Sequence, residues 1–229
     1  MGVMKKSLWL VLCSGIVGVA GIAGAGCSSG MKYKVDDAAL DNVSASEKKG
    51  VFDAKNETEV ANSELRTAQT RLDALERDRD VAKNEKKQAE LEVEKAATEE
   101  ESAVASRDEN RHNKAKQGKE VAAFGVKVAD AKLEWLDQKE DALKAARTAA
   151  EAHQKAAEAK TEYEKAKLAQ QKNIKPDSSF SVGDYESQWK DKNGDWESAK
   201  KDAESQDKKA NEREQKWKEL VAQHQKLRG

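Results

Sequence analysis

The sequence predicts an all-α protein built from long, extended helices. Charged residues make up 37% of the 229 residues and aromatic residues only 5%, and Pro176 is the single proline. Much of the apolar content is alanine, so the chain has few bulky side chains with which to build a thick core. Strand-type alternation is missing. We therefore expect an antiparallel, coiled-coil-like bundle of two or three helices behind a flexible N-terminal tether.

Residues 1–26 have the organisation of a secretory signal peptide. Lys5 and Lys6 form a basic start, residues 8–19 form an apolar stretch, and residues 20–26 are small except for Ile22. The two cysteines of the chain are Cys13 and Cys27. The body of the protein therefore has no disulfide framework, no thiolate metal site and no cysteine nucleophile.

The residues around Cys27 indicate the type of leader. Gly24, Ala25 and Gly26 precede it, and a Ser-Ser-Gly segment follows it. This arrangement resembles the lipobox of bacterial lipoproteins, a family that most often has leucine where Gly24 stands. The resemblance implies that Cys27 becomes the acylated first residue of the mature chain, held to a membrane by several acyl chains such as palmitate. Because Ser28 is not the aspartate that retains such proteins at the inner membrane, the resemblance implies the outer membrane.

Two other interpretations of the leader stay open. Residues 7–26 approach the ~20 residues that span a bilayer, so the segment could remain as a membrane anchor. It could also be an ordinary cleaved signal that leaves Cys27 unmodified. Cys13 is a weaker candidate for lipidation, because the bulky Leu12 precedes it.

Residues 27–44 are expected to form a polar tether, and residues 45–172 a long helical coiled-coil region. Ser44 and Glu47 fit a capping box, which predicts a helix from residue 45. From Leu65 to Ala166, positions spaced alternately by three and four residues form a seam whose phase is unbroken. Such a period of 3.5 residues is typical of coiled coils.

The seam is polar between Glu100 and Gln117, and buried unpaired charge is costly, so this stretch is expected to be exposed. Two shapes satisfy that requirement. One is an antiparallel hairpin with its turn near residues 113–118, and the other is a single continuous helix. The unbroken phase favours the continuous helix, whereas the polar seam favours the hairpin, which we prefer.

Pro176 marks a clear stop, because proline is costly inside a helix and disfavours helix in the residue before it. We expect residues 173–184 to form a loop and residues 185–229 to form a C-terminal helix.

Three tryptophans, Trp189, Trp196 and Trp217, lie on one seam of this C-terminal helix. We expect them to pack on the preceding helix. An antiparallel arrangement would place Trp196 near Tyr163, and Trp217 near Trp135 or Gln138. The alternative is an exposed aromatic row that binds a partner or a glycan.

No catalytic residue, metal site or cofactor is predicted. His112, His153 and His224 are scattered without ligand spacing, and no nucleotide-binding, hydrolase or metalloprotease motif occurs. The net charge of −1 comes from 42 basic and 43 acidic residues that are interspersed, so no nucleic-acid surface is indicated. We expect neither an enzyme nor a small-molecule substrate.

The sequence thus predicts a non-catalytic structural or adaptor protein of the bacterial envelope. It would be anchored at Cys27, would face the periplasm, and would act by helix pairing with a second copy or another envelope protein. Small helical lipoproteins of the Braun type resemble it in anchor and heptads. They end in the lysine that attaches them to peptidoglycan, whereas this chain ends in Gly229. The alternative is an envelope binding module that captures a protein or glycan with its tryptophan-rich helix.

Overall fold

The computed structural model describes residues 31–176 and 178–229. Within them the chain is all-α and has no strand. A short 3₁₀ helix, Asp37–Leu40, is followed by three long helices, which are α1 (Lys49–Ser106), α2 (Glu109–Gln171) and α3 (Val182–Arg228). The predicted antiparallel helical bundle is confirmed, because α1 and α3 both pack on α2.

The turn between α1 and α2 is tighter than predicted and lies earlier in the chain. α1 ends when Arg107 adopts a left-handed conformation with φ of 57°, and α2 begins when the Asp108 side chain accepts a hydrogen bond of 3.1 Å from the backbone N–H of Arg111. The prediction of a turn at residues 113–118 is wrong, because those residues lie inside α2. A capping aspartate starts this helix without the glycine or proline that usually marks a turn.

Ion pairs between α1 and α2 fix the register of the hairpin. They include Glu57–Lys160 at 2.5 Å, Lys86–Asp130 at 2.8 Å and Glu100–Lys119 at 2.7 Å. This register places Ala61 opposite Ala157 and Ala82 opposite Leu136. Buried residues recur every seven positions on α1, at Ala54, Ala61, Ala68, Leu75 and Ala82. The same spacing runs along α2 through Ala115, Ala122, Ala129, Leu136, the half-buried Leu143, Ala150 and Ala157. We call this pair of rows the alanine seam.

α2 carries a second seam, which faces α3. It includes Phe124, Trp135 and Tyr163, whose rings all stack on rings of α3. The seam predicted along α2 is therefore the one that binds α3. The row that faces α1 lies beside it and was not predicted, because alanine is frequent enough on α2 to fit either register.

α2 is the central helix, and α1 and α3 flank it without meeting. In the described part of the chain, no Cα atom of α1 comes within 8 Å of a Cα atom of α3. The bundle is therefore open between its two outer helices.

Residues 31–43 are part of the folded body, so the prediction of a flexible tether is wrong for them. Val35, Leu40 and Val43 are buried in the main apolar cluster together with Val51, Ala166, Leu168, Ala169 and Tyr185. We call this cluster and the polar residues that border it the base. It joins the N-terminal segment to the start of α1, the end of α2 and the start of α3.

The predicted helix starts differ slightly from the observed ones. Residues 45–48 form turns and α1 begins at Lys49, although the Glu47 carboxylate accepts hydrogen bonds from both the N–H of Ser44 (3.3 Å) and its hydroxyl (2.8 Å). α3 begins at Val182, three residues before the predicted start. The loop between α2 and α3 contains Pro176, as expected.

Candidate functional site

Cys27, the predicted lipidation site, lies outside the described residues together with the whole leader. Among the described residues, none of the three long helices has an apolar stretch sufficient to cross a bilayer. The site residues that can be located are the three tryptophans of α3.

All three α3 tryptophans are half-buried against α2. Trp189 stacks on Tyr163 with ring centroids 5.4 Å apart, and Trp217 stacks on Trp135 at 4.9 Å. The second contact is one of the two predicted for Trp217. The predicted contact of Trp196 with Tyr163 is wrong, because Trp196 stacks on His153 at 4.2 Å. These stacks hold α3 to α2, since offset aromatic pairs stabilise a contact beyond the area that they bury.

The base holds a buried polar group at its centre. The Lys165 ammonium lies 2.9 Å from the Glu162 carboxylate and 2.6 Å from Asp37, and the other Glu162 oxygen accepts a hydrogen bond of 2.7 Å from the N–H of Val35. Burial by itself would lower the pKa of Lys165, but its hydrogen bonds to Asp37 and Glu162 outweigh that effect and raise the pKa above its ordinary value. The same contact lowers the pKa of Asp37. Each buried charge is therefore paired, as a stable interior requires.

α3 holds the N-terminal segment from the other side of the base. The Gln188 side chain accepts hydrogen bonds from the N–H groups of Lys32 (2.9 Å) and Tyr33 (3.1 Å), and donates one to the carbonyl of Tyr33 (3.1 Å). The Tyr185 hydroxyl donates to the carbonyl of Lys34 at 3.1 Å. Because Lys55 of α1 pairs with Asp37 at 3.2 Å, the segment links α1 to α3.

An open groove runs between α1 and α3, with α2 as its floor. Its volume is about 650 Å³. We call it the inter-helix groove. Its floor and walls are mostly apolar, and they include Val60, Ala68, Leu143, Ala146, Ala149, Ala150, Trp196 and Ala203. Its polar lining includes Glu64, Arg71, His153, Lys200 and Glu204.

His153 closes one end of the inter-helix groove. It is only 8% exposed, its ring stacks on Trp196, and its Nδ1 donates a hydrogen bond of 2.7 Å to the Glu64 carboxylate. Its Nε2 has no hydrogen-bond partner among the described residues, and it remains accessible to solvent. His153 is thus a buried residue of α2 that contacts both α1 and α3.

The groove exists because one position of a regular basic row holds alanine. Every seventh residue of α2 from 132 onward forms a row, which consists of Lys132, Lys139, Ala146, His153, Lys160 and Lys167. Lys132, His153 and Lys160 pair with carboxylates of α1, and Lys139 pairs with Asp207 of α3. At Ala146 no long side chain fills the space. The seven-residue spacing of this row can be recognised in the sequence. The inter-helix groove cannot, because it depends on where α1 and α3 lie.

The described residues contain no group of three or more His, Cys, Asp or Glu side chains placed to hold a metal ion. His224 is engaged with the carbonyl of Val121 at 3.1 Å. The arrangement can bind an apolar group in the inter-helix groove, and it can present a long hairpin.

Comparison with protein-family models, curated proteins and solved structures finds no match for this chain.

Proposed function

We propose that the protein is a lipid-anchored, non-catalytic structural or adaptor protein of the bacterial cell envelope, acting through its paired helices. The observation that carries this proposal is the sequence Gly24-Ala25-Gly26-Cys27 at the end of an apolar leader. Acylation of Cys27 would hold the chain at a membrane, and the position of Ser28 after it favours the outer membrane.

The short stretch of chain between Cys27 and the described residues supports the proposal. Three residues separate Cys27 from Met31, so the chain between their Cα atoms spans at most about 14 Å. A lipidated Cys27 would therefore keep the base near the membrane surface.

The long hairpin would allow such a protein to contact a partner at a distance from its anchor. α1 has 58 residues, which corresponds to a length of about 87 Å. The turn at Arg107 and Asp108 lies at the end of α1 opposite the base. We infer that this end meets the partner, either a second copy or another envelope protein, at a distance from the membrane.

The experiment that tests the anchor is metabolic labelling with a clickable fatty acid. Wild-type protein and a Cys13→Ala control should carry the label and sediment with membranes, whereas Cys27→Ala should lose the label and leave the membrane fraction. Unlabelled wild-type protein would exclude lipidation. Label that persists in Cys27→Ala but is lost in Cys13→Ala would show that Cys13 is the lipidated residue.

Cross-linking tests the adaptor role in the same cells. A photoreactive residue at Asn110, next to the turn, should give cross-links to the partner, and one at Lys55, near the base, should not. Cross-links of equal strength from both positions would contradict contact through the hairpin end.

A further inference from the structure

The inter-helix groove has a limited length along α2. Ala146 is flanked by Lys139, which pairs with Asp207 of α3, and by His153 and Lys160, which pair with Glu64 and Glu57 of α1. The part of α2 that lines the groove runs from Leu143 to His153, a distance of about 15 Å. Long, paired side chains therefore border this part of α2 on each side.

The groove has room for a thin occupant. A volume of about 650 Å³ spread over about 15 Å corresponds to a mean cross-section of about 43 Å². The volume itself falls within the range of about 300 to 1,000 Å³ that is usual for small-molecule sites. An extended alkyl chain fits this cross-section.

The charges around the groove favour an anionic head group. Glu64 is hydrogen-bonded to His153, and the Lys200 ammonium lies 5.8 Å from the centroid of the Trp196 ring, whereas Glu204, which also lines the groove, forms no ion pair with another described residue. Arg71 has no carboxylate one helical turn away along α1. The residues three and four positions away from it on α1 are Thr67, Ala68, Ala74 and Leu75. No ion pair joins Arg71 to any carboxylate in the part of the chain that the structure describes.

Arg71 is therefore an exposed cation without an ion pair at the edge of the groove. A guanidinium group binds a carboxylate through two parallel hydrogen bonds, which gives both affinity and orientation. The alanine floor supplies apolar contact for a chain, and burial of apolar area is the main driving force for such binding. Trp196 adds an aromatic surface next to His153.

We propose that the inter-helix groove binds a free single-chain amphipathic carboxylate, with its alkyl chain along Ala146, Ala149 and Ala150 and its head group on Arg71. This site goes beyond the proposed function and does not depend on lipidation of Cys27.

The test uses brominated C12 probes, because bromine quenches tryptophan fluorescence on contact. The full chain carrying Cys27→Ala is held in amphipol and titrated with 12-bromododecanoate below its micelle concentration. The alcohol and the ammonium analogues of the same chain length serve as matched probes. Trp196→Phe identifies the part of the quenching that comes from the groove.

Four variants separate the two parts of the site. Ala146→Lys restores the basic row and fills the cavity, and Thr148→Lys adds the same charge on an exposed face of α2. Arg71→Gln removes the head-group contact, and Arg66→Gln is its control at an exposed position outside the lining. Circular dichroism confirms that each variant is folded, and Ala146→Leu replaces Ala146→Lys if the lysine variant does not fold.

We expect saturable quenching by the carboxylate that disappears in Trp196→Phe. Ala146→Lys should weaken binding at least tenfold, and Arg71→Gln should weaken it about three- to tenfold, while both control variants bind as the parent chain does. Quenching that does not saturate, or that survives in Ala146→Lys or Ala146→Leu, would overturn the site. Equal or tighter binding of the alcohol or the ammonium probe would overturn the assignment of a carboxylate.

Discussion

The base and the hairpin arms bury their residues in different ways. The base packs bulky side chains such as Leu40, Leu168 and Tyr185, whereas the arms meet mainly through the alanine seam. Burial of apolar area contributes about 25 cal/mol per Å², so each leucine at the base contributes more than each alanine along the arms. A small region therefore stabilises the fold strongly at one end, and the arms gain their stability from close backbone approach repeated over many turns.

The charged residues of the two regions also differ in how deeply they are buried. Lys165 and Glu162 are buried at the base, while the arm pairs such as Glu57–Lys160 and Glu100–Lys119 lie at least partly in solvent. Exposed ion pairs contribute little, typically about 0.2 to 1 kcal/mol, but loss of one partner of a buried pair costs several times more. The arm pairs therefore mainly fix the register, and the buried group at the base is the more sensitive point.

The largest effect is expected when the buried group at the base loses its cation. Lys165→Met leaves Glu162 buried without its counter-charge, which should lower the free energy of unfolding by about 3 to 5 kcal/mol. Chemical denaturation measures the change. Lys155→Met, an exposed position on the same helix, should change the stability by less than about 0.5 kcal/mol. Equal stability of the two variants would show that the base is not the sensitive region.

The alanine seam should resist enlargement. Ala61 is fully buried between the arms, and Ala61→Leu should cost about 1 to 3 kcal/mol because the extra carbon atoms force the helices apart. Asn56→Leu adds a leucine at an exposed position of α1 and should be nearly neutral. Thermal melting of both variants tests the contrast, and a stabilised Ala61→Leu would mean that the arms are loosely packed.

Acid should reduce the stability contributed by the base more than that contributed by the hairpin end. Hydrogen bonds from Lys172 and Ser44 lower the pKa of Glu47 from 4.5 to about 2. A carboxyl whose pKa falls on folding stabilises the folded state above the unfolded pKa, and this contribution is lost as the pH falls from 4.5 toward 2. Glu47→Gln should therefore reduce the loss of melting temperature across that window.

Glu100 is the matched residue at the hairpin end, where its hydrogen bond with Lys119 lowers its pKa. We expect Glu100→Gln to have a smaller effect than Glu47→Gln. Because both carboxylates are exposed, high salt should reduce both effects. A larger effect of Glu100→Gln would reverse the comparison.

The smallest effect is expected at two glycines of α2. A Cβ atom at Gly118 would meet nothing within 4 Å, so Gly118→Ala should stabilise the protein by about 0.5 to 1 kcal/mol through lower backbone entropy in the unfolded chain. At Gly125 the added Cβ would lie 3.4 Å from the His224 ring, so Gly125→Ala should gain less. Melting temperatures compare the two, and equal gains would contradict a close α2–α3 contact there.

Much of the fold follows from local signals in the sequence. Long helices are predicted by heptad periodicity and composition, the loop between α2 and α3 by Pro176, and the stack of Trp217 on Trp135 by an antiparallel arrangement. The turn at Arg107 was placed wrongly, because a single left-handed residue and a capping aspartate give a weaker signal than the polar stretch beside them. The sequence predicts a tether for the N-terminal segment because its three buried valine and leucine residues are separated by polar residues.

By itself, the sequence determined the helical class and the spacing of the seams, because periodicity and composition are local properties of the chain, and the leader with Cys27 stays a prediction. Tertiary structure alone decided which row of α2 meets α1 and which meets α3, since alanine suits both. It also decided that residues 31–43 complete the base, and that Ala146 leaves a groove. Those features depend on contacts between residues far apart in the sequence, such as Val35 with Glu162, Glu64 with His153 and His224 with Val121.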